Sequence, residues 1–592
     1  MPSNFRAPAL PSFIKAVCVA ILGAAAMLRA ETPGSQPQRG RAKSLYTQGM
    51  SALQKGDLAD ARTAFEKLLR IAPRSPEAHN SLGWVLLNQG EVDSAIAQFH
   101  SAIRIKPEFP QAHLNLANAL VQRRDFAEAE TEARESVRLA PEDSETHRTL
   151  GRVLSFRSDS QSAISELQAA LALEPRRPDL HDDLGSLLAQ ASRTEEAADQ
   201  FSEALRLQPD FPAAQLHLGV VRWQQKELPQ AHDLLAKASQ AVPENAQVHY
   251  YFGRVLQDEQ SQQAIEELKR ATRLQPDFPE AQESLGLLLQ RIGDAEGAVA
   301  AFRHLAQLRP QDPEAHNDLG LALIQVGDAA DSIPEFETAI RIRADDPGYL
   351  ANLGTAYLQK ADFDSAIAQF QSALTIAPQD STAHYDLGLA LKFKDRLNDA
   401  VAEFKKASEL APEQPDIHYT LGVTLWQEGN FPEAERELHA ATQAKPDYAE
   451  AYYTLGTVLK QDKKNEEAVA ALRKAISVDP TLVGAHTTLA GILRQMGDRA
   501  TADAESRRAQ ELFKQSNSLQ AATFNTNSGQ KLLQAGDLDG AISQFRSAIT
   551  LSPNYALAHL HLAEALDRKG QKTEAQEELR KAAELTHAKP QL

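Results

Sequence analysis

The chain has 592 residues, of which 42% are hydrophobic and 24% charged, and these proportions are ordinary for a folded soluble protein. Its formal net charge of -18 opposes binding to the phosphate backbone of a nucleic acid, so no nucleic-acid partner is expected. The single cysteine, Cys18, lies close to the N-terminus, and the rest of the chain has no thiol for a disulfide or a cysteine-based metal site.

Residues 1–30 have the pattern of a secretion signal. Arg6 and Lys15 accompany an apolar stretch at 16–28, and Ala30 offers a small residue at a cleavage site. The apolar stretch is short for a bilayer span. We therefore expect a signal peptide at 1–30 and an exported protein, periplasmic or extracellular, with no integral membrane span after cleavage. The alternative is a membrane anchor formed by an uncleaved signal.

After a linker at 31–41, the sequence repeats with a period of 34 residues. Most spacings are 34, one is 33 and one is 39. An alanine follows each small residue after twelve residues in most units, a large apolar residue comes four residues later, and a proline ends the unit. The pattern predicts sixteen repeats. The recurring small residues are Gly49, Gly83, Ala117, Gly151, Gly185, Gly219, Gly253, Gly286, Gly320, Gly354, Gly388, Gly422, Gly456, Ala490, Gly529 and Ala563.

Each unit contains two helical periods separated by a glycine or polar turn. The proline ends the second helix and starts the next first helix, where its missing N–H is harmless. A glycine inside a helix costs about 0.5–1 kcal/mol relative to alanine, so its recurrence indicates close approach of the two helices. We expect the recurring alanine of the second helix to be the small residue that faces it.

These features resemble the tetratricopeptide repeat. With the recurring small residue numbered as position 8, the alanine falls at position 20, the aromatic or leucine at 24, a second alanine at 27 and the proline at 32. The resemblance covers about nine tenths of the chain. It implies an all-α solenoid, a right-handed superhelix of antiparallel helix pairs, with a concave groove lined by the first helices that binds partners.

The period is interrupted once, by the polar stretch at 513–530. We expect repeats 1–14 at 42–514, an irregular junction or hinge at 515–521, repeats 15–16 with a C-terminal cap at 522–587, and a tail at 588–592. The alternative is that the second helix of repeat fourteen runs on without interruption.

Histidine recurs at position 4 of the repeat. Because consecutive first helices stand about 10 Å apart and Zn–N bonds are about 2 Å long, neighbouring histidines cannot share a metal ion. We therefore interpret position 4 as a packing position and expect no metal site. The histidines are His79, His113, His147, His181, His249, His316, His384, His418, His486 and His559.

Motifs of catalysis are missing from the sequence. It contains no phosphate-binding loop, no dinucleotide fingerprint, no nucleophile elbow and no cysteine–histidine pair. Its paired carboxylates are typical of solvated helix faces. We therefore expect neither an enzyme nor a cofactor.

The family resemblance places positions 2, 5, 6, 9, 12 and 13 in the groove. Position 5 is tyrosine in three successive repeats, and position 12 is mostly basic in the same region. Aromatic and cationic residues dominate binding hot spots, so we expect an extended peptide with apolar and acidic side chains to bind here. The alternative is that the tyrosines only fill the inner helix faces and the cations balance nearby acids. The candidate residues are Tyr385, Tyr419, Tyr453, Lys392, Trp426, Lys460 and Arg494.

Two weaker candidates are Asn80 with Trp84 and Arg148 with Arg152. The middle of the groove is expected to be acidic, which suits a basic partner segment or solubility. Its acids are Asp179, Asp182, Asp183, Glu280, Glu283, Glu314 and Asp318. The sequence thus predicts a non-enzymatic scaffold or assembly adaptor for protein partners, and carbohydrate binding or polysaccharide export is the alternative.

Overall fold

The computed structural model describes residues 36–587. Within that range the chain forms 31 α-helices and no β-strand. Contacts divide the chain after Ala301 into two units, Met1–Ala301 and Phe302–Leu592. In each unit, successive helices pack on one another along the chain. The predicted all-α solenoid of helix pairs is therefore confirmed.

The helices of the first unit are α1 (Gln36–Gln54), α2 (Leu58–Ile71), α3 (Pro76–Asn88), α4 (Val92–Ile105), α5 (Pro110–Arg123), α6 (Phe126–Leu139), α7 (Ser144–Phe156), α8 (Ser160–Leu173), α9 (Pro178–Gln190), α10 (Thr194–Leu207), α11 (Pro212–Gln224), α12 (Leu228–Ala241), α13 (Ala246–Leu256), α14 (Ser261–Leu274) and α15 (Pro279–Arg291). The unit boundary falls inside α16 (Ala295–Leu308).

The helices of the second unit are α17 (Pro313–Gln325), α18 (Ala329–Ile342), α19 (Pro347–Gln359), α20 (Phe363–Ile376), α21 (Ser381–Phe393), α22 (Leu397–Leu410), α23 (Pro415–Gln427), α24 (Phe431–Ala444), α25 (Ala449–Gln461), α26 (Asn465–Val478), α27 (Val483–Gln495), α28 (Arg499–Gln534), α29 (Leu538–Leu551), α30 (Ala556–Arg568) and α31 (Lys572–His587). Up to α27, odd-numbered helices carry positions 1–13 and are called first helices.

The pair α21 and α22 shows why these residues form a helix pair. Asp380 caps α21 by accepting hydrogen bonds from the backbone N–H of Thr382 at 2.9 Å and of Ala383 at 3.2 Å. The turn to α22 contains Asp395 at φ 59°, in the left-handed region. The next pair has Gly429 in the matching turn at φ 84°, where glycine has no steric cost.

The recurring glycine allows close contact with the large apolar residue of the second helix. A Cβ added to Gly388 would lie 2.5 Å from a ring carbon of Phe404, which is fully buried. A Cβ on Gly422 would meet Leu438 at 2.8 Å and the backbone oxygen of Ala434 at 3.3 Å. The expectation that the alanine faces the glycine is therefore incomplete, because the side chain at position 24 makes the closest contact.

The ten position-4 histidines form a polar clip in every repeat that contains one. In each, Nδ1 contacts a glutamate or glutamine on the second helix, and Nε2 contacts the backbone oxygen of the proline that ends the preceding unit. At His418 these distances are 2.7 Å to Glu437 and 3.0 Å to Pro412. The histidine thus joins three segments of chain, which the packing interpretation did not predict. The other clips are at His79, His113, His147, His181, His249, His316, His384, His486 and His559.

The segment 515–521, predicted to be an irregular junction or hinge, is helical in the structure. It lies in the middle of α28, a single helix of 36 residues, so the alternative of a continuing second helix is what the structure has. The reason is the absence of proline between Pro480 and Pro553, since nothing removes a backbone hydrogen bond there. The ends of α28 pack against α27 and α29, whereas Phe513 and Phe524 are 59% and 73% exposed.

The first helix of the structure also begins earlier than the sequence predicts. The helix α1 begins at Gln36, so residues 36–41 of the predicted linker are already helical. The predicted signal peptide at 1–30 and the tail at 588–592 lie outside the described residues. Between residues 36 and 587, no helix is both long and apolar enough to cross a membrane.

Candidate functional site

The predicted site residues lie on the first helices α21, α23, α25 and α27 of the second unit, and each of these helices contacts the next. We call six of them the tyrosine face: Tyr385, Tyr419, Tyr453, Lys392, Trp426 and Lys460. The four aromatic side chains are partly buried and pack against the same hydrophobic core. The core thus fixes the rings, while part of each remains accessible.

Tyr385 and Tyr453 are held by their neighbours. The Tyr385 ring lies 5.6 Å from that of Phe404, and its hydroxyl is 3.1 Å from Thr420 Oγ1 on the next first helix. Tyr453 packs on Gly484, where an added Cβ would lie 2.8 Å from the phenolic oxygen. Both rings are therefore rigid, which lowers the entropic cost of binding a ligand against them.

Tyr419 belongs to a cluster that the sequence reasoning missed. Its ring lies 5.1 Å from that of Tyr448, in the turn before α25. The Tyr448 hydroxyl donates to Asp416 at 2.9 Å, and Lys445 Nζ lies 4.6 Å from the centre of the Tyr448 ring. Burial, together with the hydrogen bond to Asp416, raises the pKa of Tyr448. The sequence feature that could have identified Tyr448 is an aromatic residue directly before a first helix. This feature recurs at Phe109, Phe211, Phe278, Tyr448 and Tyr555.

The position-12 residues differ in whether their side chains already have partners within the chain. The side chains of Lys392 and Lys460 form no hydrogen bond or ion pair with any residue in the described range, and burial lowers the pKa of Lys392. Trp426 Nε1 donates to Gln461 at 2.6 Å. Arg494, in contrast, pairs with Asp503 on α28 at 3.0 Å. Two cations of the tyrosine face are therefore available to a ligand, whereas Arg494 is engaged within its own helix pair.

Positions 5 and 6 form a ladder between consecutive first helices. At five steps, a polar side chain at position 5 bonds to position 6 of the following repeat, thirty-five residues later. The pairs are Asn80–Asn115 at 3.0 Å, Arg148–Asp183 at 2.6 Å, Asp182–His217 at 2.8 Å, Asn317–Asn352 at 2.8 Å and Tyr385–Thr420 at 3.1 Å. Groove positions that the sequence offered to a partner are therefore used to join helices.

Two position-6 side chains that follow an apolar residue at position 5 lack this hydrogen bond. Thr149 follows Leu114 by thirty-five residues, and its hydroxyl is buried without a hydrogen-bond partner. Asp386 follows Ala351 by the same interval, and its partly buried carboxyl has no hydrogen bond or ion pair with any described residue. Burial, with a smaller contribution from the charge of Asp380, raises the pKa of Asp386 to about 6. A single apolar residue at position 5 thus leaves a carboxyl without a hydrogen-bond partner.

Several acids of the expected acidic groove are neutralised by cations of the same chain. Arg148 bonds to Asp179 at 2.8 Å as well as to Asp183, and Asp182 pairs with His217. Glu314, in the second unit, contacts Arg343 at 2.6 Å. Attraction of a basic segment by these acids is therefore weaker than their number suggests.

The first unit has an aromatic cluster of its own, which the sequence reasoning also missed. The Arg254 guanidinium lies 4.9 Å from the Trp223 ring centre and donates to the Tyr250 hydroxyl at 2.9 Å. The centre of the Tyr250 ring in turn lies 4.9 Å from the ring centres of both Tyr251 and Phe278. The arginine that could bind an anion is thus already engaged by rings and a hydroxyl.

Among residues 36–587, no group of three or more histidine, cysteine, aspartate or glutamate side chains has the arrangement of a metal site. What the described geometry offers is a rigid aromatic surface with two free lysines and one orphaned carboxyl. Such a surface can bind a chain segment by burial and charge pairing.

Profiles of the tetratricopeptide repeat match residues 46–108, 87–144, 148–209, 183–246, 254–313, 284–348, 317–381, 351–415, 394–459, 449–482 and 532–591. The chain therefore belongs to the tetratricopeptide-repeat family. Proteins of this family are generally non-enzymatic scaffolds for protein partners. A comparison with curated proteins found no match.

Solved structures similar to the chain include other repeat proteins. The Cut9 and Hcn1 assembly of APC/C matches with 15% identity over 89% of this chain and 96% of that chain, at a TM-score of 0.35. Yeast Tom70 matches with 16% identity over 72% and 97%, at 0.30. MamA matches with 26% identity over 28% and 96%, at 0.27.

Proposed function

We propose that this protein is an exported, non-enzymatic scaffold of sixteen repeats that binds an extended segment of a partner protein along the tyrosine face. The observation that carries the proposal is the pair of lysines, Lys392 and Lys460, left without intramolecular partners in a chain of net charge -18. Elsewhere on the first helices, polar groove residues pair with each other at Asn80–Asn115, Arg148–Asp183, Asp182–His217 and Asn317–Asn352.

The rings and the lysines have complementary roles in this proposal. Tyr385, Tyr419 and Tyr453 present partly buried, rigid surfaces that bury apolar area at little cost in side-chain entropy. An acidic group of the partner would neutralise Lys392, whose charged form is disfavoured by burial. Binding therefore gains from both contributions.

The test is peptide binding by the full chain at two salt concentrations. A library of random dodecapeptides displayed on phage is selected against the native chain, and the dissociation constants of recovered peptides are measured at 50 mM and 500 mM NaCl. The variant Lys392→Ala/Lys460→Ala should weaken binding and reduce its salt dependence. Lys572→Ala, a lysine of the outer helix α31, serves as the control for loss of positive charge.

The alternative, binding of a neutral polysaccharide, gives a different result in the same assay. A glycan would depend on the tyrosines and ignore both salt and the lysines. Recovery of no peptide, with retention of a glycan on the native chain, would replace the proposal with this alternative.

A further inference from the structure

Asp386 stands out because, at its step of the ladder, the chain supplies no hydrogen-bond partner. At five other steps, position 6 is bonded to the position-5 side chain thirty-five residues earlier. For Asp386 that side chain is Ala351, which has no polar atom. By analogy with those steps, the expected partner position of the carboxyl is that of Ala351, whose methyl group cannot form a hydrogen bond.

The surroundings of Asp386 supply no alternative partner. It lies on α21 next to Tyr385, whose hydroxyl is used by Thr420 on α23. The charged neighbour Asp380 caps the same helix and repels a second negative charge. No lysine, arginine or histidine in the described range pairs with it. A partly buried carboxylate without a partner is costly, so an external cation stabilises it.

We propose that Asp386 binds a positively charged side chain, lysine or arginine, of the segment that occupies the tyrosine face. This inference rests on the proposed function and makes it more specific. The neighbouring rings support it, since tyrosine faces attract cations. The Arg148–Asp183 pair shows within this chain how a guanidinium satisfies a position-6 carboxylate, at 2.6 Å.

The positions of Asp386 and Lys392 on one helix give the partner a spacing. Six residues of α-helix rise about 9 Å and turn the side chain by about 120°, so the two charged groups are more than about 9 Å apart. An extended chain covers about 9 Å in about three residues. The bound segment is therefore expected to carry a basic residue and an acidic residue at least three positions apart, the first for Asp386 and the second for Lys392.

Two substitutions test the site without relying on one variant that might unfold. Asp386→Asn keeps the shape and removes the charge. Ala351→Arg supplies the missing donor from within the chain, as Arg148 does for Asp183, and leaves the carboxyl in place. Glu409→Gln, an exposed carboxylate on α22, is the matched control. Circular dichroism confirms that each variant is folded.

The measurement is selection of the same phage-displayed dodecapeptide library on the native chain and on each variant. Peptides from the native chain should be enriched in a basic and an acidic residue at least three positions apart. Asp386→Asn and Ala351→Arg should each weaken a selected peptide by about tenfold, and Glu409→Gln should not. Replacing the basic residue of that peptide by norleucine should abolish the effect of Asp386→Asn.

The possible failures are distinguishable. Peptides that depend on Lys392 and Lys460 but bind Asp386→Asn equally well would overturn the cation site and leave the scaffold proposal standing. Recovery of no peptide by the native chain, or of peptides indifferent to the lysines, would overturn both.

Discussion

Replacing Asp386 with asparagine should stabilise the protein at neutral pH. The ordinary pKa of an aspartate is 3.8, and burial raises that of Asp386 to about 6. This difference corresponds to about 3 kcal/mol, and the asparagine amide has a smaller burial cost of its own. We therefore expect a gain of about 1–3 kcal/mol at pH 7.5. The substitution leaves the residues around Asp386 unchanged. These are the cap residue Asp380, Lys392 on α21, Tyr419 and Thr420 on α23, and Ala351 on α19.

The sign of the pH dependence is fixed by the direction of the shift. Because the folded pKa of Asp386 is above the unfolded one, the folded chain holds this proton more tightly. The stabilising effect of the protonated carboxyl is complete below pH 3.8 and is lost as the pH rises to about 6. The advantage of Asp386→Asn should accordingly be small at pH 4 and complete at pH 7.5.

Urea unfolding at these two pH values, with hydrogen exchange of α21 as a local measure, tests this expectation. Local exchange is needed because long repeat arrays do not unfold in a single two-state step. The control Glu409→Gln should change neither quantity. An equal gain at pH 4 and pH 7.5, or no gain at either, would refute the assignment of an unpaired, buried charge.

Four further substitutions test other features of the fold. Gly388→Ala should destabilise its helix pair by about 1–3 kcal/mol because the added Cβ overlaps the ring of Phe404. Gly491→Ala should stabilise the protein by about 0.5–1 kcal/mol because a Cβ at Gly491 would have no atom within 4 Å. Thermal unfolding measures both changes. His418→Gln should lose about 1 kcal/mol at pH 6 and less at pH 9. The reason is that the hydrogen bond with Glu437 raises the pKa of His418. The stabilisation is therefore complete below the ordinary pKa of 6.5 and is lost as the pH rises through the pKa of the folded state. Equal losses of stability in urea unfolding at both pH values would contradict this. Ser518→Pro should cost about 3 kcal/mol and create a protease-sensitive site within α28, and unchanged proteolysis would show that the helix is not continuous there.

The repeat and its helices could be predicted because their signals are local. Gly388, its alanine partner and the closing proline each recur at fixed positions, and steric effects of single residues decide where a helix ends. The same logic failed at 515–521, where polar composition indicated a junction. There the decisive feature was a missing proline, and Asn, Ser and Gln are tolerated in a helix when no residue breaks it.

The site could be predicted only in part because side-chain pairing depends on the neighbouring helix. Lys392 and Arg494 occupy the same position of the repeat, yet only Arg494 meets an acid, Asp503 of α28. Tyr448 was overlooked because it precedes its helix. The ladder required a comparison between repeats at thirty-five residues, and Asp386 becomes notable only when its absent partner, Ala351, is considered.

The ladder also has a consequence for how such a gene can change length. Every bond of the ladder spans thirty-five residues, and the contacts of the histidine clips span six and nineteen residues except at His249–Glu267, which spans eighteen. Excision of one whole period therefore preserves the offsets at the new junction. Loss of residues 318–351 would place Asn317 thirty-five residues before Asp386, where Ala351 now stands. Its amide could then donate to the carboxyl. An in-frame deletion of 34 codons would therefore close the proposed cation site without altering any residue that forms it.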